Sequence, residues 1–432
     1  MSTSNLEALA AKRRGDVVEL PVPAQAPKAT SAVFQALDEG RYRLTVPGVT
    51  LEVDYLRRES HQLKGELLVR CDLPGARTFD GVLSIGDLNL SSTRARQMQA
   101  KYLAERAQAD DLDWTGLLEE FAQRVLAAER DGQPAVLLSD LPRPAPDEAL
   151  EVDGLPLLAR HPIILFGDGG TAKSYLGLYI AGTLAQRGLR VGFFDWELAG
   201  EDHRARLERL FDDEMPPIHY ARCSRPLVYE ADRLRRIVRD EQLDYLILDS
   251  IAFACDGPPE AAEVAGRYFR ALRQVGIIGS LHIAHVTKAL EGADRRPFGS
   301  TFWHNGARAT WNVKLANTIP DETTINIALH NRKMNLGAKR SSVGFEFRFD
   351  QDRTRVRRVD PADVPDLATG LSLHQRLHAF LRSGPRSRDV IAAEFEDEKA
   401  ATLRRTINRA IAEGKLLRMP DSRLSLPYRG AE

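Results

Sequence analysis

The sequence is poor in cysteine and has no long hydrophobic run. Its three cysteines, Cys71, Cys223 and Cys255, lie far apart and form no CxxC pair, so we expect neither a disulfide scaffold nor a structural zinc site. No run of about 18 apolar residues occurs, the length that a membrane-spanning helix needs. Residues 1–16 contain no apolar signal core. We therefore expect a soluble, cytoplasmic protein with no membrane partner.

An excess of charge of one sign is also missing. The chain of 432 residues has 60 Lys+Arg against 61 Asp+Glu, a formal net charge of −1. This balance excludes a uniformly basic DNA-coating protein and an acidic tail protein, so any basic surface must be local. The length exceeds that of one ordinary domain, and a hydrophobic content of 43% is enough for sizeable cores. We expect two or three domains.

Proline-rich stretches and changes in hydrophobic pattern divide the chain. Residues 141–147 alternate proline with other residues, which is typical of a stiff linker, and residues 360–370 form a second such stretch. The predicted segments are a flexible tail (1–31), a small N-terminal β/α domain (32–138), a Pro-rich linker (139–150), an α/β core (151–359), a linker (360–370) and a C-terminal domain (371–428).

The N-terminal domain has strand-like segments followed by helical ones. Strand-forming residues cluster at 42–46, 49–55 and 67–70, with Pro-Gly turns at 47–48 and 74–75. Apolar residues at helical spacing follow over 91–107 and 114–129, and the Ser-Ser-Thr run at 91–93 suits a helix N-cap. Nothing in this domain indicates a chemistry, and Trp114 and Phe121 are more typical of a core than of a base-stacking surface.

The core alternates short apolar strands with helices. Runs at 163–166, 191–194, 245–248 and 281–284 are apolar on both faces, as in the buried strands of a mostly parallel sheet. We expect ligands to bind at the carboxyl ends of these strands.

A glycine-rich loop follows the first of these strands and precedes a helix. This strand–loop–helix context is the one that a phosphate-binding loop requires, because backbone amides and the helix N-terminus together attract anions. The lysine would reach the β- and γ-phosphates of ATP, and the serine hydroxyl would bind Mg²⁺. The loop residues are Gly167, Asp168, Gly169, Gly170, Thr171, Ala172, Lys173 and Ser174.

Ala172 stands where this loop usually has its second glycine. Alanine fits at this position if its backbone has ordinary helical dihedral angles. Its methyl group would narrow the clearance around the nucleotide.

Carboxylates follow two of the predicted strands. Asp249 ends a buried strand and is the candidate to hold Mg²⁺ through water, with Asp256 as a weaker alternative. Glu197 follows another strand and could orient and deprotonate the attacking water, with Asp195 as the second candidate for this base.

A further strand ends in polar residues that could contact the γ-phosphate. His285 is the first choice for this role, with His282 and Lys288 behind it. A histidine at a strand end is also compatible with a purely structural position in the core.

These elements, in this order, resemble the RecA-fold ATPases, in particular the RepA-type replicative hexameric helicases, over about residues 140–350. The resemblance implies that Glu197 is the catalytic base, that Arg206 lies on the following helix, and that His285 is the sensor. It also implies an arginine finger from the segment Gly299–Trp311, for which Arg308 is the candidate, supplied to the neighbouring subunit's nucleotide.

The segment Asn331–Gly337 resembles a strand turn of hexameric helicases that faces the adjacent site. Asn335 stands where many relatives have arginine, which leaves Lys333 as the charge donor. A finger supplied to a neighbour implies a homo-oligomer, and the family forms rings of six.

The C-terminal domain has the helix, helix, helix, hairpin order of a winged helix. Residues 371–432 contain 12 Lys+Arg against 8 Asp+Glu. Its third predicted helix carries Arg404, Arg405 and Arg409, which suits DNA contact. Four acidic residues at 394 and 396–398 precede this helix and would repel a DNA backbone, so a protein-binding winged helix is the alternative.

Two functions are compatible with these features. The first is an ATP-driven motor, a helicase or translocase on single-stranded DNA in replication or recombination, with ATP and Mg²⁺ as its ligands. Its candidate pore loops are Cys255–Glu263 and Glu291–Ser300, the latter with Arg295 and Arg296. The alternative is an ATP-switched DNA-binding protein, either a recombinase-like filament or a winged-helix regulator, that does not unwind processively.

Overall fold

The computed structural model describes residues 32–38, 40–109, 111–132, 135–141, 150–212, 214–286, 301–316, 323–335, 337, 340–368 and 371–427. The chain divides into two compact units, Met1–Pro142 and Arg143–Glu432. The predicted tail (1–31) and most of the predicted linker at 139–150 lie outside the described residues. No described helix is both long and apolar enough to cross a membrane.

The N-terminal unit contains an antiparallel sheet whose strands follow one another in sequence order, β1-β2-β3-β4-β5. Three strands correspond to the predicted segments, and β1 and β5 are additional. Gly48, at φ +77°, closes the β2–β3 turn at the predicted Pro-Gly pair. The strands are β1 (Val33–Asp38), β2 (Arg41–Val46), β3 (Val49–Glu59), β4 (Gln62–Cys71) and β5 (Val82–Asn89).

Two helices contribute to the core of this sheet. Helix α1 (Thr93–Ala107) begins at the predicted serine, because the Ser92 side chain accepts a hydrogen bond from the Ala95 amide at 3.3 Å. Helix α2 (Trp114–Asp131) begins at Asp113 in the same manner. Leu51 from the sheet and Phe121 from α2 are fully buried in one cluster, so packing of apolar side chains holds this unit together.

The second unit is built on a mixed, mostly parallel sheet of nine strands in the order β10-β9-β11-β12-β8-β13-β14-β15-β16. Strands β10 to β13 pair in parallel, and the last three pair antiparallel. This agrees with the predicted parallel core. Its strands are β8 (Pro162–Gly167), β9 (Val191–Asp195), β10 (Ile218–Arg222), β11 (Tyr245–Asp249), β12 (Gly279–His285), β13 (Ala309–Leu315), β14 (Thr324–Met334), β15 (Val343–Phe349) and β16 (Thr354–Val359); a separate hairpin comprises β6 (Leu150–Val152) and β7 (Leu155–Leu157).

Helices cover both faces of this sheet. Helix α3 packs with Leu165 and Trp311 in one buried cluster, and α5 and α7 pack with Phe166 and Leu248 in another. Every residue of β9 and β11 is buried for this reason, which explains their continuous apolar character. The helices are α3 (Lys173–Gln186), α4 (Gly200–Phe211), α5 (Leu227–Asp240), α6 (Ile251–Ala254), α7 (Ala262–Val275) and α8 (Thr301–Gly306).

The stretch predicted as a linker at 360–370 is packed rather than open over its described part. It forms a 3-10 turn (Pro361–Asp363) and a short helix, α9 (Pro365–Ala368). Leu367 is 1% exposed and packs with Ala316 and Ala328 of the core. The proline pattern was therefore misleading here, because a single buried leucine fixes the segment.

Three helices and a two-stranded hairpin follow, with a small apolar core that includes Leu377, Ile391 and Leu403. Their bounds are α10 (Leu373–Arg382), α11 (Arg388–Glu394), α12 (Ala400–Ala412), β17 (Leu417–Arg418) and β18 (Leu424–Ser425). Arg376 of α10 forms ion pairs with Asp397 and Glu398. Two of the four acidic side chains before α12 thus have a cation beside them, which weakens the repulsion expected from the sequence.

Candidate functional site

Four parallel strands end at the same edge of the central sheet, each at a residue of the predicted site. These residues are Gly167 of β8, Asp195 of β9, Asp249 of β11 and His285 of β12. Asp249 lies opposite Asp195 in the register, and His285 lies opposite Gly167. The structure therefore brings the loop, both carboxylate positions and the candidate sensor together at the carboxyl edge.

The glycine-rich loop has the backbone geometry of a tight turn into a helix. Gly170 has φ +74°, which favours glycine. A Cβ at Gly167 would lie 2.6 Å from the carbonyl oxygen of Val313 on the neighbouring strand, so this position also requires glycine. Helix α3 begins directly after the loop, at Lys173, and its free amides point to where an anion would bind.

Ala172 does not meet the condition under which alanine fits this position without strain. Its φ is +54° and its ψ is 23°, in the left-handed region, at the N-cap of α3. An alanine in this region costs about 1–2 kcal/mol relative to right-handed geometry. The turn itself dictates this conformation, and glycine would adopt it without strain.

The Lys173 side chain lies against its own loop. Its ammonium donates to the carbonyl oxygens of Gly167 (3.1 Å) and Asp168 (2.6 Å) and to Thr171 Oγ1 (3.1 Å). Burial lowers the pKa of Lys173 to about 8, although the negative charges of Asp249, Asp168 and Glu197 oppose this shift. A buried cation held only by neutral oxygens is well suited to bind a phosphate.

Asp249 is buried beside the serine of the loop. Burial raises the pKa of Asp249 to about 6, while a hydrogen bond from Ser174 lowers it. Its Oδ1 atom is buried and has no hydrogen-bond partner among the described residues. A carboxylate and a hydroxyl suit Mg²⁺, which keeps several waters and binds nucleotide phosphates with few protein ligands. The predicted metal-binding pair, Ser174 and Asp249, therefore fits a magnesium ion.

The structure distinguishes Glu197 from Asp195, the two candidates for the base. The Glu197 side chain is exposed, whereas Asp195 is 0% exposed and accepts hydrogen bonds from the amides of Glu197 and Leu198. Burial raises the pKa of Asp195, but the nearby His203 and the hydrogen bonds from these amides outweigh it and leave that pKa lowered. Glu197 is thus free to meet water, and Asp195 is engaged in structure.

Burial also distinguishes the other candidate residues at this edge from one another. His285 is half-buried, and burial and the charge of Lys173 lower its pKa, so it is neutral near pH 7. His282 is fully buried between Tyr268 (2.7 Å) and Ser280 (2.9 Å), and burial lowers its pKa to about 3. His282 is a core residue, while Lys288 lies outside the described residues. Asp256, the weaker metal candidate, faces Arg267 at 3.5 Å.

Arg206 lies beside the first turn of α3. Its guanidinium is 4.9 Å from the centroid of the Tyr175 ring, and that ring contacts Phe349 edge-to-face at 5.5 Å. Tyr175 directly follows Ser174 of the loop. The predicted arginine on the following helix is therefore held near the nucleotide edge by stacking.

Arg308 lies at the opposite edge of the sheet. Its amide donates to Pro162 at the start of β8 (2.9 Å), and its carbonyl accepts from Asn335 (2.9 Å). Pro162 lies five positions before Gly167 in β8, a distance of roughly 16 Å at 3.3 Å per residue. The Arg308 side chain is exposed, and its main chain lies at the sheet edge opposite the glycine-rich loop.

Lys333 is hydrogen-bonded within its own subunit. Its ammonium donates to the carbonyl oxygens of His304 (2.6 Å), Asn305 (3.1 Å) and Ala307 (2.8 Å) at the end of α8. The cation thus caps this helix C-terminus, and it stabilises the segment that carries Arg308. Its role as a charge donor to a neighbouring site stays a prediction.

The two predicted pore loops have different outcomes. The loop after α6 is fixed, because the Pro259 carbonyl accepts from Trp303 Nε1 (2.6 Å) and the Asp256 carbonyl accepts from Arg267 (2.6 Å). This makes Cys255–Glu263 a poor candidate for a moving loop. The second candidate, Glu291–Ser300, lies outside the described residues.

Sequence reasoning missed the residues that support the site. His203 lies 3.4 Å from Asp195, and Arg222 lies 3.1 Å from the same carboxylate. Trp303, fully buried, ties α8 to the loop after Asp249. An aspartate two residues before a candidate base is a signal for a side-chain-closed turn, but the partners on α4 and β10 have no local signature.

Comparison with known proteins supports the assignment of this edge. Residues 134–290 match the profile of the AAA domain family, a span that includes the loop, Glu197, Asp249 and His285. Within this span, the central parallel strands carry the candidate site residues at their carboxyl ends.

Similar solved structures include three proteins with low superposition scores. They are a KaiC-like protein from the archaeon Pyrococcus horikoshii (17% identity, TM-score 0.36), the flagellar accessory protein FlaH from Methanocaldococcus jannaschii (15%, 0.36) and the ATPase domain of G40P (11%, 0.35). The matches cover 47%, 51% and 43% of this chain and 92%, 97% and 81% of the other chains. A comparison with curated protein sequences gave no match.

Proposed function

We propose that this protein is an ATP-hydrolysing motor that acts on single-stranded DNA, as a helicase or translocase. The observation that supports this most is the division of residues between two edges of one sheet. Lys173, Asp249, Glu197 and His285 lie at the carboxyl edge, and Arg308 lies exposed at the other. An ATP site that is completed by Arg308 from the opposite sheet edge of a second copy suits an oligomer driven by ATP.

In the proposed reaction, Glu197 orients the attacking water and accepts its proton as the water oxygen bonds to the γ-phosphorus. The bond from that phosphorus to the β–γ bridging oxygen breaks, and ADP leaves. Lys173 leaves its loop carbonyls for the β- and γ-phosphates, where its charge is better matched. Neutral His285 contacts the γ-phosphate and responds to its loss. Ser174 and Asp249 would hold Mg²⁺, which neutralises phosphate charge when it is bound.

Arg308 completes the site of a neighbouring subunit in this proposal. A guanidinium spreads positive charge over the transferring phosphate. The hydrogen bonds to Pro162 and Asn335 hold the Arg308 main chain in place. Lys333 caps the preceding helix. The Arg308 side chain therefore extends from a backbone that its neighbours hold rigid. The assembly is a homo-oligomer, a ring of six by resemblance to the hexameric helicases.

The proposal is tested by ATP hydrolysis with and without single-stranded DNA. We expect single-stranded DNA to raise the wild-type rate several-fold and Lys173→Ala to abolish hydrolysis. Arg273→Ala, which removes an exposed arginine of α7, serves as the matched surface control and should behave like the wild type. Hydrolysis that ignores single-stranded DNA would contradict the motor and leave a nucleotide switch.

One observation favours the second function, an ATP-switched DNA-binding protein. Arg404 and Arg405 are exposed on α12, the third helix of the proposed winged helix, and Arg376 neutralises part of the acidic segment before it. Such a unit could read duplex DNA. Specific duplex binding that is lost in the double variant Arg404→Ala/Arg405→Ala, together with ATP hydrolysis insensitive to single strands, would favour this alternative.

A further inference from the structure

The turn that carries Glu197 is closed by the residue that ends β9. The Asp195 carboxylate is fully buried and accepts hydrogen bonds from the backbone amides of Glu197 (3.1 Å) and Leu198 (2.8 Å). A side chain bonded to the amides two and three residues ahead fixes the backbone between them. Asp195 therefore determines where the Glu197 side chain begins.

Strand β10 closes the same turn from its other side. Tyr220 donates to the Leu198 carbonyl at 3.0 Å and lies 3.4 Å from Asp195 Oδ2. Arg222 Nη1 also donates to Asp195 Oδ2 at 3.1 Å and to the Leu198 carbonyl. The carboxylate thus receives donors from the turn and from the neighbouring strand, and only an ionised acceptor satisfies all of them.

Helix α4 supplies a third contact to this carboxylate. His203 Nε2 lies 3.4 Å from Asp195 Oδ2. The His203 ring is 4% exposed and packs against the rings of Phe193 (4.6 Å) and Tyr220 (5.8 Å). The helix that follows the turn is therefore connected to the same carboxylate as the turn itself.

The residue between Asp195 and Glu197 is anchored independently. The Trp196 amide donates to the Asp249 carbonyl at 2.7 Å, and its indole Nε1 donates to the Arg225 carbonyl at 2.7 Å. Glu197 is consequently flanked by fixed residues on both sides, while its own side chain is exposed. This is the arrangement of a preorganised catalytic group.

We propose that Asp195 and His203 are positioning residues for Glu197, acting through the closed turn and never touching the substrate. This inference deepens the proposed function, since it assumes that Glu197 serves ATP hydrolysis. Misplacement of a catalytic group by about 1 Å can cost about 100-fold in rate without a change in substrate binding. Loss of the turn should therefore lower kcat and leave the KM for ATP unchanged.

The direct test replaces the carboxylate in the full-length protein. In Asp195→Asn, the NH2 group replaces one of the two acceptor oxygens and faces either the Glu197 amide or the Leu198 amide. One bond to the turn is therefore lost in either orientation of the side chain. We expect kcat to fall by about 10- to 100-fold, with the KM for ATP within about twofold of the wild type. A fall in kcat together with a higher KM for ATP and a lower melting temperature would indicate a structural role and overturn the inference, as would an unchanged kcat.

Asp244 offers a matched control on the same pair of strands. It accepts a hydrogen bond from the Arg190 amide at 2.8 Å, at the opposite end of β9 and β11. Asp244→Asn therefore perturbs the same kind of bond away from Glu197, and we expect wild-type kcat. His203→Phe keeps the ring packing and removes the nitrogen, so we expect a smaller fall in kcat than for Asp195→Asn, with an unchanged KM.

Amide hydrogen exchange separates this inference from the proposed function. In the absence of nucleotide, the amides of residues 196–199 should exchange about tenfold faster or more in Asp195→Ala than in the wild type or Asp244→Asn. Unchanged exchange would overturn the positioning role. A wild-type protein without ATP hydrolysis would instead overturn the proposed function, while the exchange result would still decide whether Asp195 holds the turn.

Discussion

The two compact units differ in what they bury. In the described part of the chain, every buried polar or charged side chain lies between Thr171 and Thr354, within the second unit. The buried side chains of the N-terminal unit are apolar or aromatic, and it has exposed ion pairs such as Arg57–Asp87. Burying polar groups costs free energy unless they are paired. The second unit therefore carries more of this cost, and part of it falls at the carboxyl edge, at Lys173, Asp195 and Asp249.

This comparison predicts that the two units fail in different ways. Replacing a buried polar side chain of the second unit should remove activity and leave the fold intact. A change in the apolar set of the first should remove stability and leave nucleotide binding.

The largest effect is expected at the proposed base. Glu197→Gln keeps the size of the side chain but cannot accept the proton, so the ATP hydrolysis rate should fall by about 10²- to 10⁴-fold while ATP binding is retained. Glu201→Gln changes an exposed carboxylate in the first turn of α4 and should leave the rate unchanged. Equal rates for the two variants would assign the base elsewhere.

The reverse result is expected at Phe121, which is fully buried in the N-terminal unit. Phe121→Ala should lower the free energy of unfolding of this unit by about 3–5 kcal/mol through lost packing and a cavity. Hydrogen exchange of β2–β4 amides measures this loss, and ATP affinity of the second unit should stay within about twofold. Glu120→Ala, at a surface pair with Arg124, should change stability by less than about 1 kcal/mol.

A smaller effect is expected from pH, through the two buried charges of the site. The pKa of Lys173 is about 8 and that of Asp249 about 6. The protonated lysine binds phosphate, so ATP affinity should fall above pH 8, by up to about tenfold per pH unit. The ionised aspartate binds the metal, so the Mg²⁺ requirement should rise below pH 6. Binding titrations from pH 5 to 10 measure both the loss of ATP affinity above pH 8 and the rise of the Mg²⁺ requirement below pH 6.

A substitution of Lys173 provides a specific control for the loss of ATP affinity above pH 8. An arginine in place of the lysine stays charged throughout this range, so Lys173→Arg should lose the dependence above pH 8 whatever its absolute affinity. If ATP affinity still falls above pH 8 in Lys173→Arg, Lys173 is excluded as the origin of this dependence.

The smallest effect is expected at Ala172. Relief of its left-handed strain by Ala172→Gly is offset in part by the greater flexibility of glycine in the unfolded chain, and we expect a stabilisation below about 1 kcal/mol. Gly170→Ala places a Cβ at φ +74° and should destabilise by about 1–2 kcal/mol. Thermal unfolding of both variants tests the sign, and a destabilised Ala172→Gly would contradict the strain.

The sequence was most informative where local rules decide the structure. Hydrophobic runs located β8, β9, β11 and β12, and the glycine-rich loop located the candidate site, because strand, turn and helix signals there are adjacent in the chain. The strand ends then brought Asp249 and His285 beside the loop, since parallel strands share one carboxyl edge.

The rest depended on contacts between distant segments. The left-handed Ala172 follows from the closure of the turn, and the packing of Leu367 follows from Ala316 and Ala328. Lys333 caps a helix that ends 27 residues earlier in the chain, at Gly306. No local pattern distinguishes such a lysine from an exposed one.

The most direct test of the central proposal mixes two inactive variants. Lys173→Ala cannot bind the phosphates but retains Arg308, whereas Arg308→Ala retains Lys173 but supplies no finger. If the site is shared between copies, each variant alone should be inactive, and their mixture should recover a substantial fraction of the wild-type ATP hydrolysis, increasing with protein concentration. A mixture that stays inactive while the two variants demonstrably co-assemble, or an Arg308→Ala protein with wild-type activity, would contradict the shared site.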